Sequence, residues 1–152
     1  MAEQTFITPE IKSMIGKELQ SAVCEVEKGA IRKLANAIGD PNPLWQDEEY
    51  ARKSRYGGII APPTFVTALP GATSLPSFLK DSPLQRVLNA GNEIEFFNPI
   101  RPGDTMSMIT KLADAYERVG KDSIMVFIIT ETTCKNQRGE VTVRVRNTTI
   151  LR

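Results

Sequence analysis

The chain of 152 residues contains no histidine. That absence removes the commonest general acid–base side chain and the commonest nitrogen ligand for metals. Any chemistry must therefore run on carboxylates, lysine, tyrosine, cysteine or backbone groups. Cysteine is scarce as well. Cys24 and Cys134 stand far apart and form no C-x-x-C pair, so neither a disulfide framework nor a zinc site is indicated. There is no basic block, and the formal net charge is +1, which argues against nucleic acid or an anionic membrane surface as the main partner. No apolar run is long enough to span a bilayer, and Met1-Ala2-Glu3-Gln4-Thr5 lacks the basic and apolar regions of a signal peptide. A reducing, cytoplasmic setting is expected. Internal repeats, linkers and low-complexity stretches are missing too. One domain over residues 1–152 is expected, large enough to bury a core without a staple.

What is present falls into two halves. Helical signals come first. Thr8-Pro9-Glu10-Ile11 reads as an N-cap followed by a first turn, with a short helix to about Gly16. Lys17 to Glu27 reads as a strand. Ala30 to Ile38 places Ile31, Leu34, Ala35 and Ile38 on one apolar face of a helix. Asp47 is a plausible N-cap for a further turn or two to Arg52, with Tyr50 and Ala51 turned inward. Thr64 to Leu69 is apolar on nearly all sides and predicts a buried helix, and Ala72 to Ser82 reads as irregular. Strands follow: Val87 to Phe97, Thr105 to Arg118, Ser123 to Cys134 and Val141 to Leu151, joined by turns at Asn98–Asp104, Val119–Asp122 and Asn136–Gly139. In the third, Ile124, Val126 and Ile128 alternate with Met125, Phe127 and Ile129, which predicts a central strand covered on both faces. Helices followed by hairpin-linked strands indicate α+β with an antiparallel sheet around one apolar helix.

Two stretches could carry chemistry. In Gly39-Asp40-Pro41-Asn42-Pro43-Leu44-Trp45-Gln46-Asp47, a carboxylate and a carboxamide are held between prolines. The plain alternative is that Gly39 ends a helix and the rest is a turn. In Gly57-Gly58-Ile59-Ile60-Ala61-Pro62-Pro63-Thr64-Phe65, glycines and prolines precede an apolar helix. A buried helix start offers free N–H groups to a carbonyl or anion. Arg52-Lys53-Ser54-Arg55 is read as a solvated face, with phosphate contact as the alternative.

These two stretches, with Tyr50-Ala51 and Phe97-Asn98-Pro99-Ile100-Arg101-Pro102-Gly103-Asp104, resemble the MaoC-type (R)-specific enoyl-CoA hydratase and 3-hydroxyacyl thioester dehydratase family. More narrowly they resemble its N-terminal, FAS1-like dehydratase branch. The likeness runs from about Met14 to the C-terminus and implies a hot-dog fold, a sheet wrapped around a central hydrophobic helix. Active members of the family use an Asp and a His in a G-D-x-N-P-x-H turn, with backbone N–H groups at the central helix start polarising the thioester carbonyl. Asp40 and Asn42 match that turn, but Trp45 stands at the His position. The family's A-H-G helix start is here Ala61-Pro62-Pro63, which lacks two N–H donors but keeps that of Thr64.

The resemblance therefore implies a degenerate dyad of Asp40 and Asn42, with Trp45, Pro63, Thr64, Phe65 and Arg101 as substrate-binding candidates. It also implies an acyl-CoA or acyl-carrier thioester as ligand, with no other cofactor. The expected role is a non-catalytic, acyl-accommodating subunit completed by a His-bearing chain. Two alternatives stay open: a self-sufficient homodimeric hydratase using Asp40 as base, or an acyl-CoA-binding module without chemistry. Hot-dog domains pair, so a homodimer or a heteromer with a catalytic MaoC-like chain is expected. Phe65, Phe78, Phe96 and Phe97 are expected in the core first and along a ligand tunnel second.

Overall fold

A computed structural model of the protein describes residues 5–72, 75–80, 82–120 and 123–152. Five strands dominate it: β1 (Glu18–Glu25), β2 (Val87–Phe96), β3 (Thr105–Val119), β4 (Ile124–Lys135) and β5 (Val141–Leu151). They form one sheet in the order β1-β3-β4-β5-β2, every neighbouring pair antiparallel. Alternation sets the register. Val126, Ile128, Thr130, Thr132 and Cys134 of β4 are buried on the same face as Val143, Val145, Asn147, Thr149 and Leu151 of β5. A slip of one residue would expose this whole set.

Helices α1 (Pro9–Met14) and α2 (Lys28–Ala37) pack on this inner face, while α3 (Glu48–Lys53) packs beside a 3-10 turn at Pro43–Trp45. Both expected caps form. The Thr8 hydroxyl accepts from the Ile11 N–H, and the Asp47 carboxylate accepts from the Tyr50 N–H. Ala51 is buried, but the Tyr50 side chain is 53% exposed. Only one side of a helix of six residues can face the molecule, and Ala51 holds it.

Two apolar clusters fill the inner face. One gathers Ile31, Trp45, Phe65, Val66, Met106 and Val143, and the other Ile7, Leu79, Leu112, Ile128 and Leu151. Between them runs a buried polar row. Thr110 and Thr132 share a hydrogen bond of 2.7 Å, and the Asn147 amide donates to Asn92 at 2.7 Å. Pairing these groups with one another removes the cost of burying them unsatisfied.

The fold is the expected α+β hot-dog arrangement, with one difference at its centre. The segment expected as a buried helix is a 3-10 helix, Pro63–Ala68. Phe65, Val66 and Leu69 are buried, while Thr64, Thr67 and Ala68 are exposed. Local chemistry accounts for this. The Thr67 hydroxyl donates to the Thr64 carbonyl at 2.7 Å, a back-bond that competes with helical geometry. Leu69, before Pro70, is pushed to an extended backbone. Met125, Phe127 and Ile129 also depart from expectation. They lie on the outer face of β4, partly exposed, and join neither cluster. Within one chain β4 is covered on one face.

The irregular stretch after Ala72 contains a 3-10 turn at Ser77–Leu79, with Leu79 buried and Phe78 packed against the second cluster. Thr73, Ser74 and Asp81 of that stretch, and Lys121 and Asp122 of the β3–β4 turn, lie outside the described residues. Among the described residues no helix is long and apolar enough to cross a membrane.

Candidate functional site

The Asp40 turn is built by the way α2 stops. Gly39 takes φ +66°, and the Asp40 N–H reaches back to the Ala35 carbonyl at 2.9 Å. This left-handed closure favours glycine. Pro41 and Pro43 have no N–H, so Asn42, Leu44 and Trp45 are the donors that follow, and each finds an acceptor inside the turn. Asp40 Oδ1 accepts from the Asn42 N–H at 3.0 Å, Asn42 Oδ1 accepts from the Leu44 N–H at 3.0 Å, and the Asn42 carbonyl accepts from the Trp45 N–H at 3.2 Å. The second oxygen of Asp40 accepts from the Trp45 indole Nε1–H at 2.9 Å.

That last contact decides what the turn can do. Both carboxylate oxygens are engaged, one by backbone and one by an indole that donates but does not titrate. Trp45 itself is 6% exposed and belongs to the first apolar cluster. The pair keeps the geometry of a carboxylate hydrogen-bonded to a ring N–H while removing the ring's capacity to exchange protons.

Trp45 forms one wall of a cavity of about 350 Å³. Leu44, Ile60, Pro62, Pro63, Ile100 and Val143 line it, with Phe96 and Phe97 beyond them. The two phenylalanines are 53% and 46% exposed. They end the edge strand β2, so they form a wall open to the outside rather than core as expected. Arg55 and Tyr56 supply the polar part: Arg55 Nη2 donates to the Tyr56 hydroxyl at 2.6 Å. A mostly apolar hollow with one polar corner suits a hydrocarbon chain bearing a polar end.

Of the expected site residues, Trp45 and Pro63 share this cavity. Asp40 and Asn42 sit behind Trp45 and do not line it. Phe65 is buried in the core. Thr64 is exposed at the start of the 3-10 helix, whose first backbone bond runs from the Phe65 N–H to the Pro62 carbonyl at 2.9 Å. A 3-10 start of this kind leaves the Thr64 N–H outside its own ladder.

Arg101 stands apart. Its Nη2 donates to the Tyr56 carbonyl at 2.7 Å, and its backbone N–H donates to Asp104 Oδ2 at 2.8 Å, making Asp104 the buried brace of that turn. It lines a second, more polar depression with Lys28, Glu48, Arg52 and Gly58. A Cβ on Gly58 would stand 3.8 Å from Arg101 Nη1. The basic run 52–55 thus divides: Lys53 pairs with Glu49 in solvent, Arg52 faces the depression and Arg55 faces the cavity.

Tyr56 and the cavity role of Arg55 were not foreseen. The signal was their place directly before Gly57-Gly58, after which Ile60 joins Arg55 and Tyr56 at the same hollow as Phe96 and Phe97. Among the described residues no cluster of three or more potential metal ligands occurs. Burial pushes the Cys134 thiol up to about 11, with Cys24 adding to the shift, and burial also raises Cys24.

Comparison with known proteins agrees with this fold. The family described as "FAS1-like, dehydratase domain region" matches residues 13–145. A UPF0336 protein of Parafrankia sp. (strain EAN1pec) is 33% identical over 121 residues, covering 76% of this chain and 78% of that one. The MaoC-like dehydratase of Rhodospirillum rubrum superposes with a TM-score of 0.70 at 30% identity, covering 90% of this chain and 91% of that one. A chain of the Mycobacterium tuberculosis HadBC complex, a 3R-hydroxyacyl-ACP dehydratase, shares the fold with a TM-score of 0.71 at 22% identity, covering 87% and 96%.

Proposed function

Because the chain belongs to the FAS1-like, MaoC-like dehydratase family, we propose that it is the non-catalytic, acyl-accommodating subunit of an enoyl-thioester hydratase or 3-hydroxyacyl-thioester dehydratase. The observation that carries this reading is the Trp45 Nε1–H bond to Asp40 Oδ2 at 2.9 Å in a chain without histidine. Hydration of an enoyl thioester needs a base to activate water and an acid to deliver a proton to the α-carbon. General acid–base groups contribute about 10²–10⁴-fold to such steps. An indole supplies neither, and Asp40 is already committed to two donors.

What remains is a binding half. The cavity walled by Trp45 takes the acyl chain. The Thr64 N–H is the free donor nearest the 3-10 start for the thioester carbonyl. Arg101 and Arg52 offer charge to the phosphates of an acyl-CoA or acyl-carrier arm. The proton relay comes from a His-bearing MaoC-like chain, paired along the open edge of β2 in the cytoplasm. HadBC, itself a complex of this fold, supports a two-chain arrangement.

The test is a hydration assay with crotonyl-CoA and longer enoyl-CoA substrates. It is run on the purified chain alone and on the chain co-purified from its host with any His-bearing companion. The chain alone is expected to stay near background, and the complex to turn over. Turnover by the lone chain that Asp40→Asn abolishes would instead establish a self-sufficient homodimer. A strictly homo-oligomeric, inactive protein that still binds CoA thioesters would establish a binding module.

A further inference from the structure

The outer face of the sheet carries a row of large side chains in register across four strands. Leu88 of β2 pairs with Ile150 of β5, Ile150 with Phe127 of β4, and Phe127 with Tyr116 of β3. The Tyr116 and Phe127 rings stack with centroids 4.9 Å apart and planes 7° from parallel. On β4 the row is flanked by Met125 on one side and Ile129 on the other. Leu88 is 45% exposed and the other five are partly exposed. None belongs to either buried cluster. Farther along the strands the same face changes character. Glu95, Arg144, Glu131 and Arg146 form a ladder of opposite charges, a surface that suits water. The apolar half has no such pairing, and an apolar patch of this extent on a sheet face marks a contact surface.

Its charges identify the occupant. Arg118 lies next to the row on β3, its guanidinium 5.5 Å from the Tyr116 ring centre and 5.4 Å from that of Phe127. Asp114 lies equally far along β3 on the other side, opposite Ile129. A two-fold axis in the plane between two such faces, running across the strands through the row, carries each strand onto its own copy in reverse. Arg118 then meets Asp114 of the second copy, Met125 meets Ile129, and Phe127 meets Phe127. The other two-fold, parallel to the strands, would set Arg118 against Arg152, like against like. Aligned sheets pack about 10 Å apart through interdigitating side chains, and a two-fold contact requires a self-complementary surface.

We infer that the outer face around Phe127 is a back-to-back interface between two copies of this chain. It is separate from the β2 edge and joins two units, whether each unit is one chain or a pair.

The test measures the mass of the intact assembly by native mass spectrometry and sedimentation for wild type, Phe127→Glu, Arg118→Glu, Asp114→Arg and the double swap Arg118→Glu/Asp114→Arg. Circular dichroism confirms the sheet in each. The expected result is that each single change halves the mass and that the double swap restores it. An unchanged mass in folded Phe127→Glu, or a double swap that behaves like its single parents, would overturn the inference. Neither outcome touches the hydration assay, so this inference and the catalytic reading fail independently.

Discussion

At the scale of single residues, the Asp40–Trp45 contact sets both a chemical and a stability expectation. Trp45→Phe removes the indole donor, leaves a carboxylate oxygen to water and opens space beside the cavity. For a bond to a partly exposed charged acceptor we expect a loss of about 1–2 kcal/mol, read from urea unfolding. Trp45→His with Asp40 intact should raise crotonyl-CoA hydration above the Trp45→Phe background, because it returns a titratable ring to the turn. Cys134 sets a pH expectation. Its folded thiol is held up to about 11, chiefly by burial, whereas an unfolded thiol titrates near 8.5. Between those values the unfolded chain holds fewer protons, so stability is intact below the ordinary thiol range and falls as pH rises toward 11. Urea midpoints for wild type and Cys134→Ala from pH 8 to 10.5 should show a steeper decline in wild type. The Asp40 turn was legible from sequence because its partners lie within five residues. The cavity was less so, because Tyr56 shares it with Phe96 and Phe97, which stand some forty positions away in the chain.

At the scale of elements, caps and strands were readable and helix type was not. Asp47→Ala removes the carboxylate that accepts from the Tyr50 N–H. It should cost about 1 kcal/mol in chemical unfolding, as N-cap losses do. The strand ends were legible from alternation: Val141–Leu151 lies where the pattern placed it. The 3-10 form of Pro63–Ala68 was hidden because its apolar composition suits either helix. A threonine hydroxyl back-bond and a following proline decide the matter, and neither alters an apolar count. Tyr50 and Ala51 cannot both face inward, because adjacent helical positions point about 100° apart, and Ala51 is the one buried.

At the scale of the whole molecule, what looks unfinished in one chain is its outward-facing apolar surface. Phe96 and Phe97 are roughly half exposed at the end of β2. Their joint replacement by alanine should lower the unfolding free energy of the isolated chain by about 2 kcal/mol, since about half of each ring's burial is lost. The same change should sharply weaken association with a catalytic companion or with an acyl-CoA, measured by calorimetry. The outer face of β4 taught a related lesson. The alternation of Ile124 to Ile129 correctly announced two apolar faces, but sequence cannot say whether the second cover comes from the same chain.

The chain holds a single tryptophan, and it stands between the degenerate turn and the cavity. Its ultraviolet emission therefore reports on one place alone. A thioester sliding its tail into the hollow, or a companion closing over it, would shift or quench that light without any attached dye. The one indole in the wall of the hollow thus doubles as a built-in fluorescent probe of that site.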